Sequence, residues 1–278
     1  MSAAPLAPAP LPPFVHEASA ESAGRWLGAR AGALVAPPRI GDRLPLAYCC
    51  FLRVQPATGL SIHRALGRDP DRGLFGGVCL SGGGLRVGDS VRVGFALEDR
   101  RTTASPRGDV TMSTLRAIWR GAGAQVDEAV RMIDLPPGPA QPPPPPVHET
   151  PAAPLLREMA PITHSQIAWM TVETGDWNPL HLDPGYARVR QFRDVVVPGP
   201  LLAALIEREL ESLAGAPLRR LDLRLRAASH PNERLALHGA AAGPRWRFSV
   251  YAIDTEGRHA LRATGDAEAA DISAGPPA

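Results

Sequence analysis

The chain has 278 residues, of which 44% are hydrophobic and 21% are charged, and its formal net charge is only +2. These values are ordinary for a soluble globular protein, and so small a charge excludes a general electrostatic attraction to nucleic acid. The length exceeds the usual size of one domain, so we expect two. No run of about 18 apolar residues occurs and the start lacks the pattern of a signal peptide, so neither a membrane span nor export is predicted.

Prolines dominate residues 136–154, near the middle of the chain. Because prolines oppose both helix and sheet, we predict a linker there. It separates an N-terminal domain, residues 14–135, from a C-terminal domain, residues 155–270. Residues 1–13 and 271–278 are predicted to be disordered tails.

The three cysteines, Cys49, Cys50 and Cys79, are odd in number and have no metal-ligand spacing. Adjacent cysteines rarely bridge each other, so we expect no disulfide framework. This pattern indicates a reducing compartment, and the predicted location is the cytoplasm.

The first half begins with a short predicted helix, for which Ser19 or Ser22 can serve as the N-cap. Short alternating runs separated by turn residues follow, and they predict three antiparallel strands within residues 85–100, 109–121 and 129–136. The helix precedes the sheet in this half.

The second half repeats that order. A helix is predicted over residues 200–213, because apolar side chains recur every three or four positions while Glu207, Arg208 and Glu211 face away. Four strands are predicted after it, at residues 218–229, 233–241, 245–254 and 259–269. Two such halves predict a tandem α+β architecture, and we expect the two sheets to join edge to edge so that neither leaves an unpaired strand.

The segment TGDWNPLHLD places Asp176 and His181 five positions apart, with Asn178 between them. If this loop curls, both side chains can contact one water molecule, which is the arrangement of a general acid/base pair. Two other interpretations stay open: an ordinary polar surface turn, and a metal site formed by Asp176, His181 and Asp183. No companion residue has a familiar zinc spacing.

A possible anion site follows at the start of the predicted helix. The first turn of a helix presents free N–H groups and the positive end of the dipole. Because Pro200 has no N–H, the amide of Gly199 is the best donor, and that of Leu201 is second. A water-activating pair beside such a site is what the addition of water to an α,β-unsaturated thioester requires.

The segment TGDWNPLHLDPGYA resembles the motif of the MaoC-like (R)-specific enoyl-CoA hydratases and 3-hydroxyacyl thioester dehydratases. This resemblance implies a tandem (double) hot-dog fold, in which antiparallel sheets each wrap around a central helix. It also implies that Asp176 and His181 are the catalytic pair, that Asn178 orients them and that Gly199 supplies the oxyanion N–H. Pro198 stands where the family usually has His.

The layout is most similar to that of two-hot-dog mesaconyl-C4-CoA (3-methylfumaryl-CoA) hydratases. The similarity implies a hydro-lyase acting on an acyl-CoA, with a short branched or dicarboxylic acyl group among the options. The alternatives are a dehydratase of acyl carrier protein thioesters in fatty-acid or polyketide synthesis, and a non-catalytic thioester-binding module. Thioesterases share the fold, but here Glu207 and Glu209 lie two turns into the helix. No metal or separate cofactor is expected, and the chain would act as a monomeric pseudo-dimer or as a homodimer of these.

Four arginines are candidates for binding the phosphates of coenzyme A, since exposed guanidinium groups suit phosphate oxygens. Arg188, Arg190 and Arg193 follow the motif directly, and Arg220 lies on the first strand after the helix. A solvated surface is the simpler interpretation of each. The remaining histidines, including His63, show no partner spacing and receive no predicted role.

Overall fold

The computed structural model describes residues 13–32, 36–68, 73–104, 108–135 and 147–270. Most of the predicted linker and nearly all of both predicted tails lie outside the described residues, so the domain boundaries stay predictions. No helix in the described ranges is long and apolar enough to cross a membrane.

The first half contains two helices and two strands more than the sequence predicted. Its elements are β1 (Phe14–Glu17), α1 (Ala20–Ala31), α2 (Tyr48–Val54), α3 (Pro56–Ala65), β2 (Gly73–Gly82), β3 (Ser90–Thr103), β4 (Val110–Arg120) and β5 (Gln125–Asp134). Ser19 caps α1 as expected, because its side chain accepts a hydrogen bond from the Ser22 N–H. The three predicted strands are confirmed by β3, β4 and β5. The elements α2, α3, β1 and β2 were not predicted.

The second half has the same general plan with a single long helix. Its elements are β6 (Leu155–Met159), α4 (His164–Thr174), a 3-10 turn (Pro179–His181), α5 (Pro184–Val189), α6 (Gly199–Ala214), β7 (Leu218–Leu225), β8 (Arg234–Ala242), β9 (Arg245–Ile253) and β10 (His259–Ala269). The predicted helix over residues 200–213 is confirmed by α6, and the four predicted strands by β7 to β10. The strand β6 and the helices α4 and α5 were missed.

The strands of the described residues form one sheet in the order β1-β3-β4-β5-β2-β7-β10-β9-β8-β6. Its two halves join through antiparallel pairing of β2 with β7, in which Val78 lies opposite Leu223. The predicted edge-to-edge joining is therefore confirmed. From either edge inward, the order is the same if β1 to β5 are matched with β6 to β10, so the chain has the predicted tandem hot-dog fold.

A glycine permits this join. Gly77 has a φ of 140°, and a Cβ at this position would clash with the carbonyl oxygen of Leu223 on β7. Only glycine adopts such a backbone conformation readily, so the close approach of the two strands depends on it.

The two halves differ in the helices that their sheets enclose. In the second half α6 is continuous, and its apolar residues, including Leu201, Leu205 and Ile206, are buried. In the first half the chain breaks between α2 and α3 at Gln55, whose ψ of 141° is extended. The following Pro56 disfavours a helical conformation at Gln55, which explains the break.

The prediction that Glu207 faces away from the core is wrong. Its side chain is fully buried and accepts hydrogen bonds from the Leu46 N–H at 2.7 Å and the Ala47 N–H at 2.9 Å. The reason is that α2 covers the face of α6 opposite its sheet, which a single-helix pattern cannot reveal. Ala47 begins α2 without a side-chain cap of its own, so the carboxylate of Glu207 satisfies these backbone donors.

Burial raises the pKa of Glu207 to about 7, and the neighbouring Glu211 adds to the rise, while the two N–H groups and Arg30 oppose it. The native state therefore holds this proton at pH values where the unfolded chain has lost it. Stability from this group is present at low pH and is lost as pH rises from about 4.5 to about 7, on the order of 3 kcal/mol in all.

We predict that Glu207→Gln removes this part of the pH dependence, because the amide does not titrate. The free energy of unfolding, measured in urea at pH 5 and pH 7.5, should fall less with pH in Glu207→Gln than in the wild type. Glu98→Gln, at an exposed position on β3, is the control and should follow the wild type. Equal pH dependence in Glu207→Gln and the wild type would contradict the assignment.

Candidate active site

A cavity of about 390 Å³ lies at the junction of the two halves, a volume suited to a small-molecule ligand. One side is formed by residues of α2, α3 and β2 in the first half, together with Arg68, Leu115 and Met132. The other side is formed by residues 175–179 and by Pro200 at the start of α6. The segment singled out in the sequence therefore borders this cavity.

The loop that carries Asp176 begins where α4 ends. Gly175 adopts a left-handed conformation, with a φ of 67°, and this turns the chain toward the cavity. The Thr174 hydroxyl accepts a hydrogen bond from the Asp176 N–H at 3.2 Å, and Asp176 Oδ1 accepts one from the Asn178 N–H at 3.4 Å. Local hydrogen bonds thus hold the Asp176 carboxylate in place.

Asn178 controls the next turn through the backbone. Its Oδ1 accepts a hydrogen bond from the Leu180 N–H at 3.0 Å, and its carbonyl accepts one from the His181 N–H at 3.0 Å. This side chain therefore caps the 3-10 turn that presents His181. It can orient His181 without touching the imidazole.

The orientation of His181 is fixed by its contact with the segment before α6. Its Nδ1 lies 2.7 Å from the carbonyl oxygen of Val196, which can only accept a hydrogen bond. Nδ1 must therefore carry the proton, and in the neutral imidazole Nε2 has a free lone pair. The Val196 N–H also donates to the Leu180 carbonyl at 3.0 Å. Two hydrogen bonds with Val196 therefore hold the turn in place.

Nε2 of His181 lies 3.9 Å from Oδ2 of Asp176, and the two side chains are 12% and 27% exposed. This separation lets one water molecule donate a hydrogen bond to each atom. The sequence analysis predicted such a convergence. The geometry can perform proton transfer to and from a single bound water.

The first turn of α6 lies beside the same cavity. Gly199 is its first residue and is buried, and Pro200 lines the cavity. The N–H groups of Gly199 and Leu201 belong to the turn that has no acceptor within the helix. A Cβ at Gly199 would clash with the ring of Phe75 on β2, so this position has room only for glycine.

The structure argues against a metal site that includes Asp183, because this side chain is already engaged. Oδ1 of Asp183 accepts hydrogen bonds from the N–H groups of Gly185 at 2.7 Å and Tyr186 at 3.1 Å, and it thereby caps α5. Within the described part of the chain, no group of three His, Cys, Asp or Glu side chains is arranged to hold a metal ion.

Three of the predicted phosphate-binding arginines lie on the segment after the motif. Arg188 is exposed on α5, and the guanidinium of Arg190 lies 5.4 Å from the centre of the Tyr186 ring. Arg193 forms an ion pair with Glu233. None of the three is among the residues that line the cavity.

Arg220 is separated from that segment. It lies on β7, whose Leu221 and Leu223 are buried toward α6, so the alternation of the strand directs Arg220 to the outer face of the sheet. There it lies 3.5 Å from the carboxylate of Asp222. The structure does not bring it together with the other three arginines.

Sequence reasoning missed the side of the cavity that the first half contributes. Arg53, His63, Arg68 and Phe75 line it. The one local signal was the proline at position 56, which interrupts an apolar segment and creates the break between α2 and α3. Which side chains this break directs into a cavity depends on the packing of the two halves.

We predict that Gly199→Ala destabilises the protein by about 1 to 3 kcal/mol, because the added methyl group displaces the Phe75 ring. The measurement is the free energy of unfolding in urea. The loss should be smaller when Phe75 is also changed to Ala. Gly94→Ala is the matched control, since a Cβ at this glycine in β3 meets nothing. A Gly199→Ala protein as stable as the Gly94→Ala protein would contradict the packing described.

Comparisons with known proteins agree with this description of the fold. Residues 147–237 match the family model described as MaoC like domain. HtdX of Mycobacterium tuberculosis has a similar structure, with 17% sequence identity and a TM-score of 0.67 over 91% of this chain and 99% of that chain. A MaoC-like dehydratase of Phytophthora capsici has 13% identity and a TM-score of 0.69, with coverages of 94% and 96%.

A conserved hypothetical protein of Mycobacterium tuberculosis, described as having a double hot-dog fold, has 14% identity and a TM-score of 0.61, with coverages of 92% and 95%. No curated protein matches the sequence significantly. Residues 147–237 are therefore similar to a MaoC-like domain, and the chain as a whole has the double hot-dog fold.

Proposed function

We propose that the protein is a hydro-lyase that adds water to an α,β-unsaturated acyl thioester or removes it from a 3-hydroxyacyl thioester. The observation that carries this proposal is the 3.9 Å separation of His181 Nε2 and Asp176 Oδ2, with Nδ1 committed to the Val196 carbonyl. The match of residues 147–237 to the MaoC like domain supports it.

In hydration, His181 Nε2 takes a proton from the water as the water oxygen bonds to the β-carbon. Asp176 accepts the second hydrogen bond of that water and stabilises the imidazolium that forms. The electron pair of the double bond moves through the α-carbon toward the thioester oxygen, giving an enolate. The proton on His181 then goes to the α-carbon and the carbonyl forms again, and dehydration follows the same steps in reverse.

The enolate oxygen needs hydrogen-bond donors, and the first turn of α6 offers them. We assign this role to the N–H of Gly199, with that of Leu201 as the second donor. Donors held in place before the reaction stabilise the developing charge without reorganising. The positive end of the dipole of α6 acts in the same direction.

We propose coenzyme A as the carrier of the acyl group, with Arg188, Arg190 and Arg193 near its phosphates. Arg188 and Arg193 are exposed on the segment after the motif, and Arg190 is half-buried beside Tyr186, so cationic groups follow the motif closely. Acyl carrier protein is the alternative carrier. Its phosphopantetheine arm would present the same thioester, so the chemistry at Asp176 and His181 would be unchanged.

Thioester hydrolysis is the less favoured reaction, because the carboxylates of the central helix are already engaged. Glu207 binds two backbone N–H groups, and Glu209 forms ion pairs with Arg157 and Arg208. Neither lines the cavity. Glu211, the third acid of α6, accepts a hydrogen bond from the Leu218 N–H and pairs with Arg43, so no free carboxylate of α6 supports attack on a thioester carbonyl.

We predict that Asp176→Asn and His181→Gln each lower kcat for enoyl-CoA hydration by about 10²- to 10⁴-fold, the usual contribution of a positioned acid or base. Loss of the enoyl absorbance of crotonyl-CoA measures hydration, and a thiol reagent measures hydrolysis in parallel. The fold should persist in both variants, because Asp176 borders the cavity and neither side chain is part of the apolar core.

Asp183→Asn is the matched control, since this carboxylate lies on the same loop but only caps α5. Asparagine is also a good cap, so this variant should keep activity near that of the wild type. Wild-type rates in both Asp176→Asn and His181→Gln would rule out the catalytic assignment and favour a thioester-binding module. Thiol release as the main activity would instead favour a thioesterase.

A further inference from the structure

The segment before α6 that orients His181 is bound from two sides. Toward the catalytic loop, Val196 donates its N–H to the Leu180 carbonyl at 3.0 Å, and its own carbonyl lies 2.7 Å from Nδ1 of His181. The Val195 carbonyl and the Val197 N–H instead bond to the loop between β7 and β8. This alternation is that of a strand with a neighbour on either side. The position of the Val196 carbonyl therefore depends on both loops.

His230 makes one of the two contacts from the loop between β7 and β8. Its Nδ1 lies 2.9 Å from the Val195 carbonyl oxygen, and the Ser229 carbonyl accepts a hydrogen bond from the Val197 N–H at 2.9 Å. A carbonyl oxygen can only accept a hydrogen bond, so Nδ1 of His230 carries a proton. The contact from His230 is made by a side chain, and a substitution can therefore remove it.

The imidazole of His230 is itself held in place. It is 8% exposed, and the centre of the Phe192 ring lies 6.4 Å from the centre of its ring. Burial lowers the pKa of His230 below its ordinary value, while the Val195 carbonyl and Glu233 oppose this change. The imidazole is therefore neutral at about pH 7, and the neutral form still donates through Nδ1.

The segment that His230 holds leads to both groups that the proposed reaction uses. The Val196 carbonyl keeps the proton of His181 on Nδ1 and leaves Nε2 free to accept one. Gly199, three residues after Val196, begins α6 and offers the N–H assigned to the enolate oxygen. If this segment moved, the base and the N–H donor would be displaced together.

We propose that His230 is a positioning residue of the active site. By binding the Val195 carbonyl it keeps the Val196 carbonyl in place, and it thereby maintains the orientation and the tautomer of His181. This inference rests on the proposed function, in which His181 is the base, and adds a residue that controls that base. His230 does not line the cavity, so it acts through the backbone.

The kinetic test compares two substitutions of His230. His230→Leu removes the donor at a similar side-chain volume, and His230→Asn keeps an N–H donor near the place of Nδ1. We expect His230→Leu to lower kcat for crotonyl-CoA hydration by about 10- to 100-fold while KM changes by less than about 3-fold, because a small displacement of a catalytic group reduces turnover strongly. His230→Asn should recover most of this loss. His230→Phe, which keeps a ring beside Phe192, replaces His230→Leu if circular dichroism shows that the latter does not fold.

His238→Leu is the matched control. His238 is also 8% exposed, and its Nδ1 lies 3.0 Å from the backbone carbonyl of Ala153, in the segment before β6. Losing this hydrogen bond should destabilise the protein in urea but change kcat by less than about 2-fold. An equal loss of kcat in His238→Leu and His230→Leu would overturn the inference, and so would a failure of His230→Asn to recover activity.

The tautomer of His181 gives a readout that does not require turnover. Nitrogen NMR at about pH 8 distinguishes protonated Nδ1 from protonated Nε2, and the spectrum of His181→Gln identifies the signals. Wild type and His238→Leu should show the proton on Nδ1. In His230→Leu the form with the proton on Nε2 should appear as well, because Asp176 Oδ2 lies 3.9 Å from Nε2 and favours a proton there.

An unchanged tautomer of His181 in His230→Leu, together with an unchanged kcat, would overturn the inference. The two proposals can fail separately. A wild-type protein without hydration activity would reject the hydro-lyase, whereas the comparison of tautomers would still test the control of His181 by His230.

Discussion

The pairing of β2 with β7 is the constraint on which the rest of the structure depends. It joins two five-stranded halves into one antiparallel sheet, and it requires the backbone approach that Gly77 permits. Because β2 continues toward the start of α6, the pairing also places Phe75 against Gly199. The cavity then forms where the first half meets the first turn of that helix. Neither half forms the cavity alone, because residues of both line it.

The two halves have the same order of elements but contribute different parts of the cavity. The second half keeps one continuous central helix, and its loop carries Asp176 and His181. In the first half the break before Pro56 replaces that helix by α2 and α3, and their residues line the cavity. Glu207 couples the two arrangements, because this carboxylate of α6 satisfies the backbone donors at the start of α2. Two buried hydrogen bonds therefore connect the helical regions of the two halves.

Much of this could be predicted from local sequence patterns. The helix over residues 200–213 and the strands after it have strong periodicity, and the spacing of Asp176 and His181 within one loop is a short-range property. The burial of Glu207 could not be predicted, because a polar residue on the outer face of one helix becomes buried only when a second helix packs there. The pairing of Arg53 with Glu128 was hidden for the same reason, because the two residues are 75 positions apart in the chain.

In the proposed function, the thioester lies between the first turn of α6 and the acid/base pair. The most direct measurement is a crystal structure of Asp176→Asn with a bound 3-hydroxyacyl-CoA. We expect the 3-hydroxyl oxygen within about 2.6 to 3.2 Å of His181 Nε2, with the thioester oxygen at the N–H of Gly199. An acyl group bound elsewhere, or a hydroxyl directed away from His181, would contradict the proposed function.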